Sequence, residues 1–109
     1  MAGEKVAEVR EENWRAEVMD SPLPVLVDFW APRCAPCVAM APILEQVAEE
    51  LSGRLKVVKL NVDESRQTAI RYRIQSIPTF LLFQGGTVQA QVGGAMSKAA
   101  LLDKLLKKL

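Results

Sequence analysis

The 109-residue chain holds two cysteines, and two residues separate them: Cys34-Ala35-Pro36-Cys37. Thiols at this spacing can close a small ring and open it again, which is thiol–disulfide chemistry. As a staple such a ring is weak. Chain-entropy reasoning gives so short a loop only about 2 kcal/mol, because it removes little freedom from the unfolded chain. Other uses of the pair need partners. A zinc site takes about four N or S ligands. With no histidine and no further cysteine, the chain supplies half a site, so zinc or an iron–sulfur cluster would have to be shared between two chains. No metal is therefore expected. An inert bridge remains the bland alternative. The lack of histidine also excludes Ser-His-Asp and Cys-His catalysis.

A second group with chemistry in it is Asp28, an acid inside the apolar run Val25-Leu26-Val27-Asp28-Phe29-Trp30. Burying a lone carboxylate is costly, so Asp28 should be protonated near neutral pH or be paired. A solvated strand end is the alternative. Lys59, in Lys56-Val57-Val58-Lys59-Leu60-Asn61-Val62, reads by itself as an exposed strand lysine.

These residues need elements to position them. Val25 to Trp30 suits a central strand covered on both faces. Cys34 to Leu51 reads as an amphipathic helix lined by Val38, Ala41, Ile43, Leu44, Val47, Ala48 and Leu51. Pro42 should kink it, and Gly53 is placed to end it. Pro36 suits a first helical turn, where a missing N–H is no loss. Val6 to Val9 predicts an edge strand, and Glu11 to Met19 a helix broken by Asp20-Ser21-Pro22-Leu23-Pro24. Residues 56–62 form a second long strand, and Asp63-Glu64-Ser65 opens a short helix through Tyr72. Thr79–Phe83 and Thr87–Val92 flank Gln84-Gly85-Gly86, a hairpin signal. Ser97 can cap a last helix with Leu101, Leu102, Leu105, Leu106 and Leu109 on one face. Packing on the sheet explains that face better than a membrane or partner surface does. The order predicts an α/β sandwich in one domain over residues 1–109: a mixed five-stranded sheet between helices, three layers in all.

Composition narrows the class. Half the residues are hydrophobic and the formal net charge is +1, with no basic block to hold nucleic acid. No apolar run approaches the roughly 20 residues of a membrane span. Met1 to Arg10 is polar and carries no apolar leader segment. A cytoplasmic monomer is expected, and in a reducing compartment an isolated Cys pair points to catalysis.

In this setting the chain resembles the thioredoxin family over nearly its whole length. Val25-Leu26-Val27-Asp28-Phe29-Trp30-Ala31 resembles the strand leading to that family's active site, and Cys34-Ala35-Pro36-Cys37 its redox motif. Met40-Ala41-Pro42 resembles the following helix, and Ser76-Ile77-Pro78-Thr79 the loop with its cis-proline. Phe83-Gln84-Gly85-Gly86 and Val92-Gly93-Gly94 resemble its hairpin and last substrate loop. Three positions depart from the pattern. Arg33 stands where a second tryptophan is usual, Ala35 replaces a glycine, and Val38 replaces a common lysine.

The resemblance implies a thioredoxin fold and a general protein disulfide reductase. Cys34 would be the nucleophile, exposed at a helix N-terminus that favours the thiolate, with Arg33 as a nearby cation. Cys37 would be more buried and resolve the mixed disulfide. Asp28 would accept the proton of Cys37, with Lys59 beside it. Ala35, Pro36 and Arg33 would tune the redox pair. Trp30 would shield the site, Pro78 would lie cis against the disulfide, and Ile77 would offer its backbone to an extended substrate. Gly93 would let the substrate backbone pass closely. The dithiol itself carries the electrons, so no bound cofactor is expected. NADPH would act only through a thioredoxin reductase, since no G-x-G-x-x-G is present. The expected partners are that reductase and disulfide-containing proteins. A redox-independent binding subunit or co-chaperone is the alternative function.

Overall fold

The computed structural model describes residues 5–109, the side chain of Leu106 excepted. Five strands form one mixed sheet in the order β1-β3-β2-β4-β5: β1 (Ala7–Val9), β2 (Val25–Trp30), β3 (Lys56–Asn61), β4 (Thr79–Gln84) and β5 (Thr87–Gly93). β1 and β2 run parallel to β3, whereas β4 runs antiparallel to both β2 and β5. Four helical segments cover the two faces. They are a distorted first segment over residues 11–19, then α1 (Ala35–Glu50), α2 (Arg66–Arg71) and α3 (Lys98–Leu106). This is the three-layer α/β sandwich with a mixed five-stranded sheet expected from the order of elements.

β2 explains why the layers form. It is central and buried from Val25 through Phe29, so it needs apolar partners above and below. Leu26 packs on one side with Phe80, Leu82, Met40, Leu44, Val47 and the α3 residues Leu101 and Leu105. Val25, Val27 and Phe29 pack on the other with Val58, Leu60, Leu81, Phe83, Trp14 and Val18. On that second face Trp14 lies 5.5 Å from both Tyr72 and Phe83, ring centre to ring centre. Such tilted and edge-on contacts suit the aromatic quadrupole.

Several local details depart from the sequence reading. The first helical segment is not a regular α-helix. A tight turn over Glu11–Asn13 gives way to a wide turn over Arg15–Met19, closed by Asp20 N–H donating to Arg15 C=O at 2.8 Å. That widening keeps both Trp14 and Val18 buried against the sheet. On α1 the buried stripe is Cys37, Met40, Leu44, Val47 and Ala48. Val38, counted on that stripe by spacing, is half exposed at 50%. Ala41 is exposed as well, because the stripe is narrower than the apolar sequence suggests. Pro42 sits inside α1 and withdraws one N–H from its ladder. α1 ends at Glu50 with Leu51 as the capping residue, so Gly53, at φ +85°, shapes the turn two residues beyond rather than the cap itself. α2 starts at Arg66, later than expected, because Asn61 accepts the N–H of Asp63 and its carbonyl that of Ser65, holding 61–65 as a turn.

The hairpin is as read. Gly85 and Gly86 both have positive φ, the combination a two-residue type I′ turn requires. A one-residue bulge in β5 interrupts the pairing between Leu82 and Phe83, unannounced in the sequence. Ser97 caps α3, its hydroxyl accepting Ala100 N–H at 3.1 Å. Leu101 and Leu105 are buried, Leu102 is half-buried, and Leu109 beyond the helix is exposed; the Leu106 side chain lies outside the described residues. Leu101→Ala should therefore cost about 2–5 kcal/mol, and Leu109→Ala close to nothing. Denaturant unfolding of the two variants checks this, and equal effects would place α3 off the sheet.

Candidate active site

β2 aims the site. Its two-residue alternation sends Leu26, Asp28 and Trp30 to the face beneath α1. The chain then turns at Ala31–Arg33, with Cys34 N–H donating to Ala31 C=O at 3.0 Å, and enters α1. Cys34 is the N-cap of α1, in extended backbone conformation, and its sulfur accepts the N–H of Cys37 at 3.2 Å. Ala35 and Pro36 fill the first two helical positions, both exposed, and Pro36 leaves no orphan N–H there. Cys34 and Cys37 are joined as a disulfide, with Cα atoms 5.2 Å apart. Cys34 is half-buried at the surface, while Cys37, a turn further on, is 2% exposed. The sequence-based contrast between an accessible and a sheltered sulfur is present, although Cys34 is less exposed than expected.

Above the disulfide lies the loop before β4. The Ile77–Pro78 peptide is cis, and Pro78 is buried. Cys34 Sγ lies 3.8 Å from the carbonyl oxygen of Ile77. Thr79 Oγ1 donates to Ser76 C=O at 2.6 Å, and Gly94 N–H donates to Pro78 C=O at 2.9 Å, which ties the loop to the end of β5. Gly93 pairs with Thr79 and is exposed, and open space surrounds the position a Cβ would take. Gly94, at φ +90°, is the glycine the turn needs conformationally. Cys34 thus meets the Ile77–Pro78 loop, and Gly93 and Gly94 are tied to the same loop through Thr79 and Pro78.

Beneath the disulfide is a cavity of about 220 Å³, lined in part by Asp28, Trp30, Cys37, Val38 and Lys59. Asp28 is 3% exposed, and its Oδ1 has no hydrogen-bond partner among the described residues. Burial pushes its carboxyl up to about 7, against a smaller opposing pull from Lys59. Lys59 faces Asp28 in register on β3. It is not the exposed strand lysine its sequence position suggests: it is half-buried, with Nζ 4.9 Å from the centre of the Trp30 ring. Trp30 itself is half-buried and covers the cavity beside the disulfide.

Arg33 is exposed beside Cys34 and has a partner that its neighbours in sequence did not indicate. Its guanidinium forms a two-point pair with Asp63, Nε to Oδ2 at 2.9 Å and Nη2 to Oδ1 at 3.0 Å. The pair holds Asp63 below the usual carboxylate range and raises Arg33. The cation read from sequence as lying near Cys34 is therefore paired with an anion on the exposed rim. Sequence reasoning also passed over Asp63, Val6 and Glu45. The last had a signal: Cys37, Ala41 and Glu45 recur every fourth residue, so they share one helix face, and all three line the cavity under the disulfide. Among the described residues, no group of three or more His, Cys, Asp or Glu is placed to hold a metal ion.

Comparison with known proteins agrees with this geometry. The thioredoxin family model matches residues 5–107. The chain is 47% identical to thioredoxin 1 of Nostoc sp. over 103 residues, spanning 94% of this chain and 96% of that protein. It is 46% identical to a thioredoxin of Synechocystis sp., covering 94% of this chain and 95% of the relative. It is 43% identical to the chloroplastic M-type thioredoxin of Spinacia oleracea, over 99% of this chain and 60% of that one. With a surface sulfur bonded to a sheltered one at the start of a helix, over a buried acid, the chain belongs to the thioredoxin family and is a thiol–disulfide oxidoreductase, a protein disulfide reductase built on the Cys34–Cys37 pair.

Proposed function

We propose that the reduced protein transfers two electrons to a substrate disulfide in two exchanges. The Cys34 thiolate attacks one substrate sulfur, forming a mixed disulfide and releasing the other sulfur as a thiolate. Cys37 gives its proton to the Asp28 carboxylate and attacks Cys34 Sγ. The substrate leaves as a dithiol, and the Cys34–Cys37 disulfide remains. The single observation that carries this assignment is the shared cavity, which the buried residues Cys37 and Asp28 both line.

Each role has a physical basis. The Cys37 N–H that points at Cys34 Sγ, with the N-terminus of α1 behind it, favours a thiolate at Cys34. Asp28 at about 7 is matched to neutral pH, where a base can both accept and give up a proton. Lys59 keeps that acid from rising further and steadies its ionised form. The Ile77–Pro78 loop and Gly93, with open space where a Gly93 Cβ would lie, offer backbone to an extended substrate, and Trp30 shields the site from the cavity side. Ala35 and Pro36 stiffen the ring and tune its redox balance, and Arg33 acts there only through its pair with Asp63. The electrons come from NADPH through a thioredoxin reductase, and no cofactor is bound. The protein works as a cytoplasmic monomer. No described helix is long and apolar enough to cross a membrane.

Two outcomes test the roles. Cys37→Ser should trap a covalent complex with a disulfide substrate, visible as a mass increase removed by dithiothreitol, while Cys34→Ser should trap none. Turnover by Cys37→Ser would end the assignment.

Asp28→Asn should slow the Cys37 step and abolish its rise with pH through about 7. It should also change stability with a definite sign. The Asp28 carboxyl is raised in the folded state, so its stabilising share is complete below 3.8 and is lost as pH climbs to about 7. Over that interval the wild-type protein should lose up to about 1.4 kcal/mol per pH unit relative to Asp28→Asn. Parallel pH profiles of unfolding and of single-turnover reduction check both; profiles that match the variant's would remove Asp28 as the base.

A further inference from the structure

Glu45 lies two turns along α1 from Cys37, on the same helix face, and its side chain is half-buried. It makes no ion pair with a neighbouring side chain among the described residues. Its two oxygens instead accept consecutive backbone N–H groups from the start of the described chain: Lys5 N–H at 3.0 Å and Val6 N–H at 3.2 Å. Val6 is 5% exposed and packs into the core under α1. Val6 and Glu45 both line the cavity that also holds Asp28, Cys37 and Lys59. A carboxylate that takes two backbone donors makes charge-assisted bonds, stronger than ordinary ones. Here those bonds fasten the segment just ahead of β1, a strand of only three residues.

We propose that Glu45 is a positioning residue for the proton acceptor: its carboxylate clamps Lys5–Val6 against α1 and so holds Val6 as one wall of the cavity shared by Asp28 and Cys37, limiting the water that reaches the acid. The inference rests on the reading of Asp28 as the base of the Cys37 step. Without the clamp, β1 still pairs with β3 from Ala7 onward, so the fold survives while Val6 is released. More water then reaches Asp28, and its ionised form gains solvation. The groups that face Asp28 are few. Lys59 comes from β3, Cys37 and Glu45 from α1, and β4 presents only Phe80 in register. Lys59 is the only one of these charges that moves Asp28 appreciably, so the part of Glu45 is to exclude water rather than to repel.

The experiment uses the full oxidised chain, wild type, Glu45→Ala and the charge-preserving Glu45→Asp. Two quantities are read for each: the Asp28 side-chain carboxyl titration by carbon NMR, and the hydrogen exchange of the Val6 amide. The expected result is that Val6 exchange accelerates at least tenfold in Glu45→Ala and that the Asp28 midpoint drops from about 7 by about one pH unit. In Glu45→Asp the midpoint should fall in proportion to whatever acceleration Val6 shows. A midpoint that drops without faster Val6 exchange would make charge the cause and overturn the clamp. Faster exchange with an unmoved midpoint would overturn it too. A wild-type midpoint already in the ordinary carboxylate range would instead refute the reading of Asp28 itself.

Discussion

A carboxyl with one oxygen buried and unpartnered among the described residues, set into the middle of a central strand, works against folding, and the structure is arranged around it. Asp28 occupies a place on β2 where Leu26 on the same face is fully buried. Sealing it takes α1 above, β3 and β4 on either side, and the segment ahead of β1 at the open edge. Burial favours the neutral acid, and Lys59 holds it within reach of ionisation. The same seal that makes the acid useful also shelters Cys37. One sulfur and one carboxyl share a low-dielectric pocket, while the other sulfur stays at the surface. The difference between the two cysteines is thus a property of the layers, not of the four-residue motif.

How much of this could be read from the chain depends on the range of the interaction. β2 was legible because five of its six residues carry strand-forming or apolar side chains, and the odd one, Asp28, stood out for that reason. The Gly85-Gly86 turn was legible because it is local: two positive φ values need two such residues. Ser97 and Pro36 could be read for the same reason. What escaped is what long-range packing decides. The wide turn at Arg15–Met19 depends on where Trp14 and Val18 must meet the sheet, and nothing in Arg15-Ala16-Glu17 announces it. The bulge in β5 depends on how that strand fits β4.

The site divides in the same way. Cys34, Cys37 and Pro78 are marked by motif, and the structure brings Cys34 against the Ile77–Pro78 loop. Lys59 was ambiguous, since its importance comes from lying in register with Asp28, a pairing across 31 positions of sequence. Arg33 was read from its neighbours in the chain only as a cation near Cys34, and its pairing with Asp63, 30 residues away, was not visible there. Glu45 was overlooked although its spacing from Cys37 placed it on the right face, because an acid on a helix is ordinarily taken as solvated.

The Arg33–Asp63 pair has a consequence for how other molecules meet the site. A matched pair of charges is felt from outside as a dipole, and its field fades with distance much faster than that of a single ion. Mobile ions shorten its reach further, since screening sets in over about 8 Å at physiological ionic strength. A cation standing where the family pattern has an aromatic therefore adds little long-range attraction. The rim beside Cys34 is sensed by an incoming protein only at contact, where the fixed plane of the guanidinium and carboxylate offers shape and hydrogen bonds rather than a field.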